Sequence, residues 1–312
     1  MSVLKCAIVG CGNIAGGYDT PESSLVRTHA KSFLLSDSCK LVGVSDIDKN
    51  IAKSFSKTWN VPLYFVDFDE LLYQCKPDLL SICTPTETHF EIFKKACLAG
   101  VSNIWLEKPA ALTIEELQEM MNISKEYNVN VWVNYFRRYD AGFKKVKNRL
   151  SEIGKIKYVG AFYTKGFRHN GSHLIDLVHW FFGKIKRTEI IEILHDEKFP
   201  SASGIFYSEK AKVNFTALDY KNFELFEIDI IGSNGRIIIK DGGQKIVFEK
   251  VAMDKFYNNY KNLETYENHC SSYGMSMMSG LNQGISGGLM PGLTHEMEIQ
   301  KVFEQCLNYE NI

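Results

Sequence analysis

The first 130 residues alternate short, continuous apolar runs with amphipathic stretches, and this alternation limits the fold more than any other feature. Leu4–Val9, Lys40–Ser45, Leu79–Cys83, Ser102–Leu106 and Val129–Asn134 read as strands. His29–Ser36, Lys49–Trp59, Phe68–Cys75, His89–Ala99 and Ile114–Tyr127 read as the helices between them. Apolar strands without polar alternation are buried on both faces, so helices must cover both sides of a parallel sheet. The fold class is therefore α/β with a doubly wound parallel sheet, which binds ligands beyond the carboxyl ends of its strands.

The rest of the chain has a different rhythm. Lys155–Thr164, Thr188–His195, Gly204–Tyr207, Ala211–Ala217, Leu225–Gly232, Gly235–Lys240 and Lys245–Lys250 read as strands in close succession. Gly232-Ser233-Asn234-Gly235 and Asp241-Gly242-Gly243 carry turn chemistry between them. Short connections favour a mostly antiparallel sheet. Helices are expected near Gly171–Phe182 and Thr294–Leu307, while Ser271–Gly292, rich in Gly, Ser and Met, reads as an ordered loop.

Charge and apolar content exclude several classes of function. Lys+Arg total 36 and Asp+Glu 37, for a net charge of -1, so no global field draws nucleic acid or an anionic membrane. No apolar run approaches the roughly 18 residues of a spanning helix, and no basic segment followed by a long apolar stretch opens the chain. The eight cysteines form no CxxC pair and fall mostly in apolar patterns, the signature of buried thiols in a reducing cytoplasm, with no metal site expected.

Gly10-Cys11-Gly12-Asn13-Ile14-Ala15 follows the first strand directly and matches the dinucleotide-binding pattern. The first glycine permits the turn, the second lets backbone approach a pyrophosphate, and a small third residue permits close packing. Amide donors and a helix dipole then favour the phosphate charge. Asp46 ends the second strand, where a carboxylate accepts the two ribose hydroxyls; a helix cap or a solvated turn acid is the alternative. It lies 31 residues beyond Ala15, longer than the usual roughly 20, because Gly16–Arg27 has the composition of an inserted loop. A carboxylate there repels a 2′-phosphate and no Arg follows directly, which favours NAD over NADP.

Three more segments complete a pattern: Cys83-Thr84-Pro85-Thr86-Glu87-Thr88-His89, Glu107-Lys108-Pro109, and Gly171-Ser172-His173-Leu174-Ile175-Asp176 leading into Trp180 and Gly183. With the glycine motif, they resemble the Gfo/Idh/MocA oxidoreductases, closely through residue 183 and loosely beyond. The resemblance implies an N-terminal Rossmann domain (1–125) and a C-terminal α+β domain (126–312) whose large open sheet forms a homodimer or homotetramer interface. It implies a sugar, polyol or nucleotide-sugar substrate. It sets Gly10, Gly12, Asn13, Ile14, Thr84, Pro85 and His89 along the cofactor, Glu107 at the nicotinamide ribose, and Lys108 at the reacting carbon–oxygen bond. It also implies a cis Lys108–Pro109 peptide, far less costly before proline than elsewhere.

The family's common form is Asp-x-Gly-x-His-x-x-Asp, so Gly171 aligns the histidine as His173, not His179. The position of the first Asp is held by His169. Arg168-His169-Asn170-Gly171-Ser172-His173 is thus more similar to relatives acting on nucleotide-linked sugars, which also lack that Asp.

Oxidising a secondary alcohol needs a base of near-neutral pKa for the hydroxyl proton. His173 takes that role, serving as acid in reduction; Lys108 stabilises developing alkoxide charge and shares the proton if burial lowers its pKa. Asp176, three residues on, either orients His173 or serves the helix start. His179 lies on another face, and Trp180, Phe181 and Phe182 read as core. Arg137 and Arg138 either grip substrate, with Asn170, or bridge the domains; Lys144–Arg149 reads as a solvated helix face. Met275, Met277 and Met278 either border substrate or fill core gaps. An NAD-dependent glycosidase and a non-catalytic dinucleotide sensor are the other functions compatible with these motifs.

Overall fold

A computed structural model describes residues 3–195, 200–271, 273–288 and 290–307. The chain divides into two compact units: residues 1–139 with 273–300, and residues 140–272 with 301–312.

The first unit is built on β1 (Leu4–Val9), β2 (Cys39–Ser45), β3 (Leu63–Phe65), β4 (Leu79–Ile82), β5 (Asn103–Leu106) and β6 (Asn130–Val133). They form one sheet in the order β3-β2-β1-β4-β5-β6, with every pair parallel. That is the doubly wound order whose direction reverses between β1 and β4, creating a crevice at their carboxyl ends. The connecting helices are α1 (His29–Leu35), α2 (Lys49–Trp59), α3 (Phe68–Cys75), α4 (His89–Leu98) and α5 (Ile114–Glu126). Side chains of Thr28, Asp48, Asp67 and Thr113 accept amide hydrogens at the starts of α1, α2, α3 and α5. Asp48, not Asp46, is therefore the cap of α2. β3 was absent from the sequence pattern because three residues carry no readable period.

The second unit begins with α6 (Ala141–Arg149), β7 (Ile156–Tyr163) and α7 (Ser172–Phe182). It continues through β8 (Ile185–Leu194), β9 (Ser201–Ser208), β10 (Lys212–Ala217), β11 (Phe226–Gly232), β12 (Gly235–Lys240), β13 (Lys245–Met253) and β14 (Lys261–Cys270). The sheet order is β14-β13-β12-β11-β7-β10-β9-β8, antiparallel except where β10 meets β7. β14 escaped the sequence reading because it is an edge strand, exposed along most of its length and lacking apolar alternation. The Lys144–Arg149 face is not simply solvated: Lys145 and Arg149 both pair with Glu267 on β14.

The chain then re-enters the first unit. Ser271–Gly292 is not a loop throughout; it contains α8 (Ser276–Ile285), although positions 272 and 289 lie outside the described residues. Glycine lowers helix propensity, which hid this helix, but Gly284 lets it approach the core: a Cβ there would come within 2.3 Å of Trp132 Cε2. Met277 fills the core, Met278 packs against it and Met275 is exposed. The helix α9 (Leu293–Leu307) carries the chain across the division after Gln300. The boundary expected after residue 125 falls ahead of β6, which pairs with β5 and belongs to the first unit. Among the described residues no helix is long and apolar enough to cross a membrane, no metal-binding cluster occurs, and all eight cysteines are free, seven of them buried.

Candidate active site

At the carboxyl end of β1, Gly10 adopts φ +83, and an added Cβ would lie 2.8 Å from both the Cys83 carbonyl carbon and the Thr84 nitrogen. Only glycine tolerates that conformation and that contact together. At Gly12 an added Cβ would meet nothing within 4 Å, so the turn presents bare backbone to open space. Ala15 is fully buried, as close packing of the turn requires. A single π turn, Asn13–Gly17, closes after Gly12, with Gly17 and Tyr18 amides donating to Gly12 and Asn13 carbonyls at 3.3 and 3.1 Å. The first helix, α1, begins at His29, beyond the inserted segment, as the composition of Gly16–Arg27 implies. Asn13 is exposed and Ile14 packs against the core; neither lines the groove described next.

Beyond the turn opens a groove of about 1120 Å³, lined in part by Gly10, Gly12, Asp46, Thr84 and Pro85. Val66, Phe68 and Ile92 supply apolar walls. Asp46 Oδ2 accepts the Cys11 amide at 2.8 Å and Oδ1 accepts the Asp48 amide at 2.9 Å, locking the carboxylate against the glycine turn while it faces the groove. Asp67, Glu70, Glu87 and Glu91 add negative charge to the lining, against Lys95 alone, which pairs with Asp69 at 2.7 Å. A groove of this size, with bare backbone at the glycine turn and a fixed carboxylate beside it, fits NAD. The same charge opposes a 2′-phosphate.

Glu107 and Lys108 follow β5. The Lys108–Pro109 peptide is cis. Glu107 Oε1 accepts from His29 Nε2 at 2.9 Å and from Asn134 Nδ2 at 2.6 Å. Burial pushes the Glu107 carboxyl up, but the His29 bond and charge, with Asn134 and Lys108, outweigh it and hold it below its ordinary value. Lys108 is lowered to about 8: burial dominates, the Glu107 charge opposes it, and the Arg137 charge adds to it. Arg137 is buried, with its guanidinium 4.9 Å from the Phe136 ring centre, whereas Arg138 reaches His295 at 3.1 Å.

His89 does not line the groove. It is 1% exposed, with Nδ1 3.0 Å from the Pro109 carbonyl and Nε2 2.9 Å from that of Thr84. Its ring is thus wedged between the Thr84 and Pro109 carbonyls, a supporting place in contrast to the expected cofactor contact. Burial pushes its pKa down, only partly offset by its carbonyl contacts and the Glu107 charge.

In the second unit, a π turn at Gly166–Gly171 leads into α7. Phe167 is packed among Tyr163, Phe206, Phe215 and Phe303, which anchors the turn. His173 is 3% exposed, in the first turn of α7. Asp176 is fully buried in the second turn, so it does not cap the helix start. Asn170 and Trp180 are half-buried, and Phe181 and Phe182 are core.

The sequence reading missed two side chains that meet this site. His29 appeared only as a helix start; its placement just past the inserted loop was the available signal. Glu296 on α9 is fully buried and accepts the Ala110 amide at 3.0 Å and the Tyr135 hydroxyl at 2.7 Å. No local pattern marks it. Glu107, Arg137 and Glu296 bear on the Lys108 amine, which burial lowers to about 8, in the same unit as the dinucleotide-shaped groove.

Residues 4–135 match the family GFO_IDH_MocA, described as an oxidoreductase family with an NAD-binding Rossmann fold. The chain is similar to scyllo-inositol 2-dehydrogenase (NAD(+)) of Bacillus subtilis (strain 168), 32% identical over 183 residues, covering 55% of this chain and 50% of that protein. It is similar to D-glucoside 3-dehydrogenase of Escherichia coli (strain K12), 24% identical over 157 residues, 50% of this chain and 42% of that one. The chain spans about half the length, or somewhat less, of the curated relatives it matches. A solved levoglucosan dehydrogenase in complex with NADH and levoglucosan superposes with a TM-score of 0.79 at 14% identity, covering 98% of this chain and 97% of that one; this likeness shows the fold.

Proposed function

We propose that this chain, whose residues 4–135 match the Gfo/Idh/MocA oxidoreductase family, is an NAD-dependent dehydrogenase of sugars or polyols. NAD, when bound, supplies the hydride acceptor or, reduced, the donor. The observation that carries the reading is Lys108: an amine lowered to about 8, following β5 and flanked by an ionised, doubly hydrogen-bonded Glu107. An amine poised there steadies a developing alkoxide and shares its proton.

The roles of the other residues follow from their chemistry. Gly10, Gly12 and the Thr84-Pro85 loop cradle the dinucleotide, and Asp46 takes the ribose hydroxyls. Glu107 Oε2, not taken up in either bond to Oε1, accepts a hydroxyl of the second ribose. His173 removes the substrate hydroxyl proton in oxidation and returns it in reduction, with Asp176 holding the imidazole. Arg137 and Asn170 meet the substrate; Arg138, occupied by His295, serves the fold.

A finer choice, a nucleotide-linked sugar, rests on His169 standing where inositol-dehydrogenase-type members carry Asp. Exposed Tyr158 and Phe162 on one face of the second unit's sheet support a homodimer or homotetramer, and the buried thiols support a cytoplasmic setting. The test is a panel of free polyols, simple sugars and nucleotide-linked sugars with NAD and NADP, followed by nicotinamide absorbance. Turnover with NAD that Lys108→Ala abolishes is expected. Turnover surviving that change overturns the assignment, and aglycone release without NADH build-up marks the glycosidase reaction instead.

A further inference from the structure

The inserted segment between the glycine turn and α1 is pinned at its far end. Asp19 Oδ2 accepts the Arg27 amide at 2.6 Å and the Thr28 hydroxyl at 3.0 Å. Thr28 in turn caps α1, and the amide of buried Val26 donates to the Gly274 carbonyl at 2.8 Å. These bonds fix the first residue of α1, so that the His29 side chain enters the core beneath β4 and β5. It is fully buried, its ring centre 4.0 Å from that of Trp105. Nδ1 lies 2.9 Å from Ser81 Oγ and Nε2 2.9 Å from Glu107 Oε1. An ionised carboxylate only accepts, so Nε2 carries a proton toward Glu107, while Nδ1 rests beside the Ser81 hydroxyl.

We propose that His29 is a positioning residue for the Lys108 amine, acting through Glu107, whose carboxylate it holds ionised and aimed beside that amine. The inference rests on the reading of Lys108 as the proton-sharing group. A buried carboxylate stripped of its donor takes up a proton in place of remaining charged. The charged groups facing Lys108 are Glu107, Arg137 and Glu296. Those facing Glu107 are His29 and Lys108, with the Asn134 amide on the same oxygen; His89 and Cys83 also feel its charge. Neutralising Glu107 leaves the amine between the opposing charges of Arg137 and Glu296, which weakens its hold on a proton. The insertion is then the strap that brings the histidine to this place.

The measurement is the pH midpoint of Lys108 acetylation by acetic anhydride in the full chain, read by mass spectrometry of its peptide, independent of turnover. His29→Ala and Glu107→Gln should each lower the midpoint by about one pH unit, a tenfold change in proton affinity. The double variant should go no lower than Glu107→Gln alone. His29→Gln, whose amide still donates, should keep the native midpoint. An unchanged midpoint in His29→Ala, or a full additional shift in the Glu107→Gln background, overturns the proposal. If His29→Ala does not fold by circular dichroism, His29→Gln decides: a midpoint as low as that of Glu107→Gln overturns it. Should Lys108→Ala keep native turnover, the dehydrogenase chemistry fails while the labelling result still stands or falls alone.

Discussion

The Tyr135 hydroxyl donates to Oε2 of Glu296 at 2.7 Å, joining the end of the parallel sheet to a helix 161 residues later. The other oxygen of the same carboxylate accepts the Ala110 amide, two residues past Lys108. Glu296→Ala takes this acceptor from both buried donors. Each unmet donor costs about 1–3 kcal/mol, so a loss of roughly 2–6 kcal/mol is expected by urea unfolding. Glu296→Gln, which keeps one acceptor, should lose less.

Lys108 is lowered to about 8 in the folded chain against 10.5 for an ordinary lysine. Below pH 8 both states hold the proton and the folded state bears the full burial cost. Between about 8 and 10.5 the unfolded chain binds more protons, so stability rises with pH. Lys108→Met should therefore be more stable than the native chain at pH 7, by on the order of 2 kcal/mol, while losing turnover. The gain should shrink as pH climbs toward 10.5. A stability difference that is flat with pH would contradict this.

His89 titrates below its usual value of 6.5 because it is buried. The unfolded chain then binds a proton that the folded chain refuses as pH falls through 6.5, so stability drops toward acid until the folded pKa is passed. His89→Gln should flatten that limb of a melting-temperature profile. Because the ring also braces the Thr84 and Pro109 carbonyls, the same variant should weaken NAD binding several-fold in fluorescence titration.

Asp46 faces the groove with its carboxylate fixed by the Cys11 and Asp48 amides. Asp46→Ser combined with Ile47→Arg removes a repelling charge and adds a guanidinium for a 2′-phosphate. The ratio of kcat/KM for NAD over NADP should fall by about 100-fold or more, on the scale of two or three kcal/mol of differential binding. A ratio unchanged by the pair would remove Asp46 from cofactor selection.

Much of the site was legible because it is local. Gly10 and Gly12 sit at fixed spacing after an apolar strand, Asp46 ends the next one, and Lys108 precedes a proline after the fifth strand of the sheet. Where local propensity opposed the outcome, the reading failed: Ser271–Gly292 reads as a loop, yet it holds α8, whose Gly280 lies against Tyr139 and whose Gly284 lies against Trp132.

The order of apolar runs and the glycine turn dictated a parallel sheet with a dinucleotide groove, since hydrophobic period and turn chemistry act between neighbours in the chain. The surroundings of Lys108 were decided only in three dimensions. His29 reaches Glu107 across 78 residues and Glu296 reaches Tyr135 across 161, partners brought together by strand order and by a helix that returns to the first unit. Burial and neighbouring charge set the proton affinity of that amine, and both are properties of a packed interior that no stretch of sequence contains.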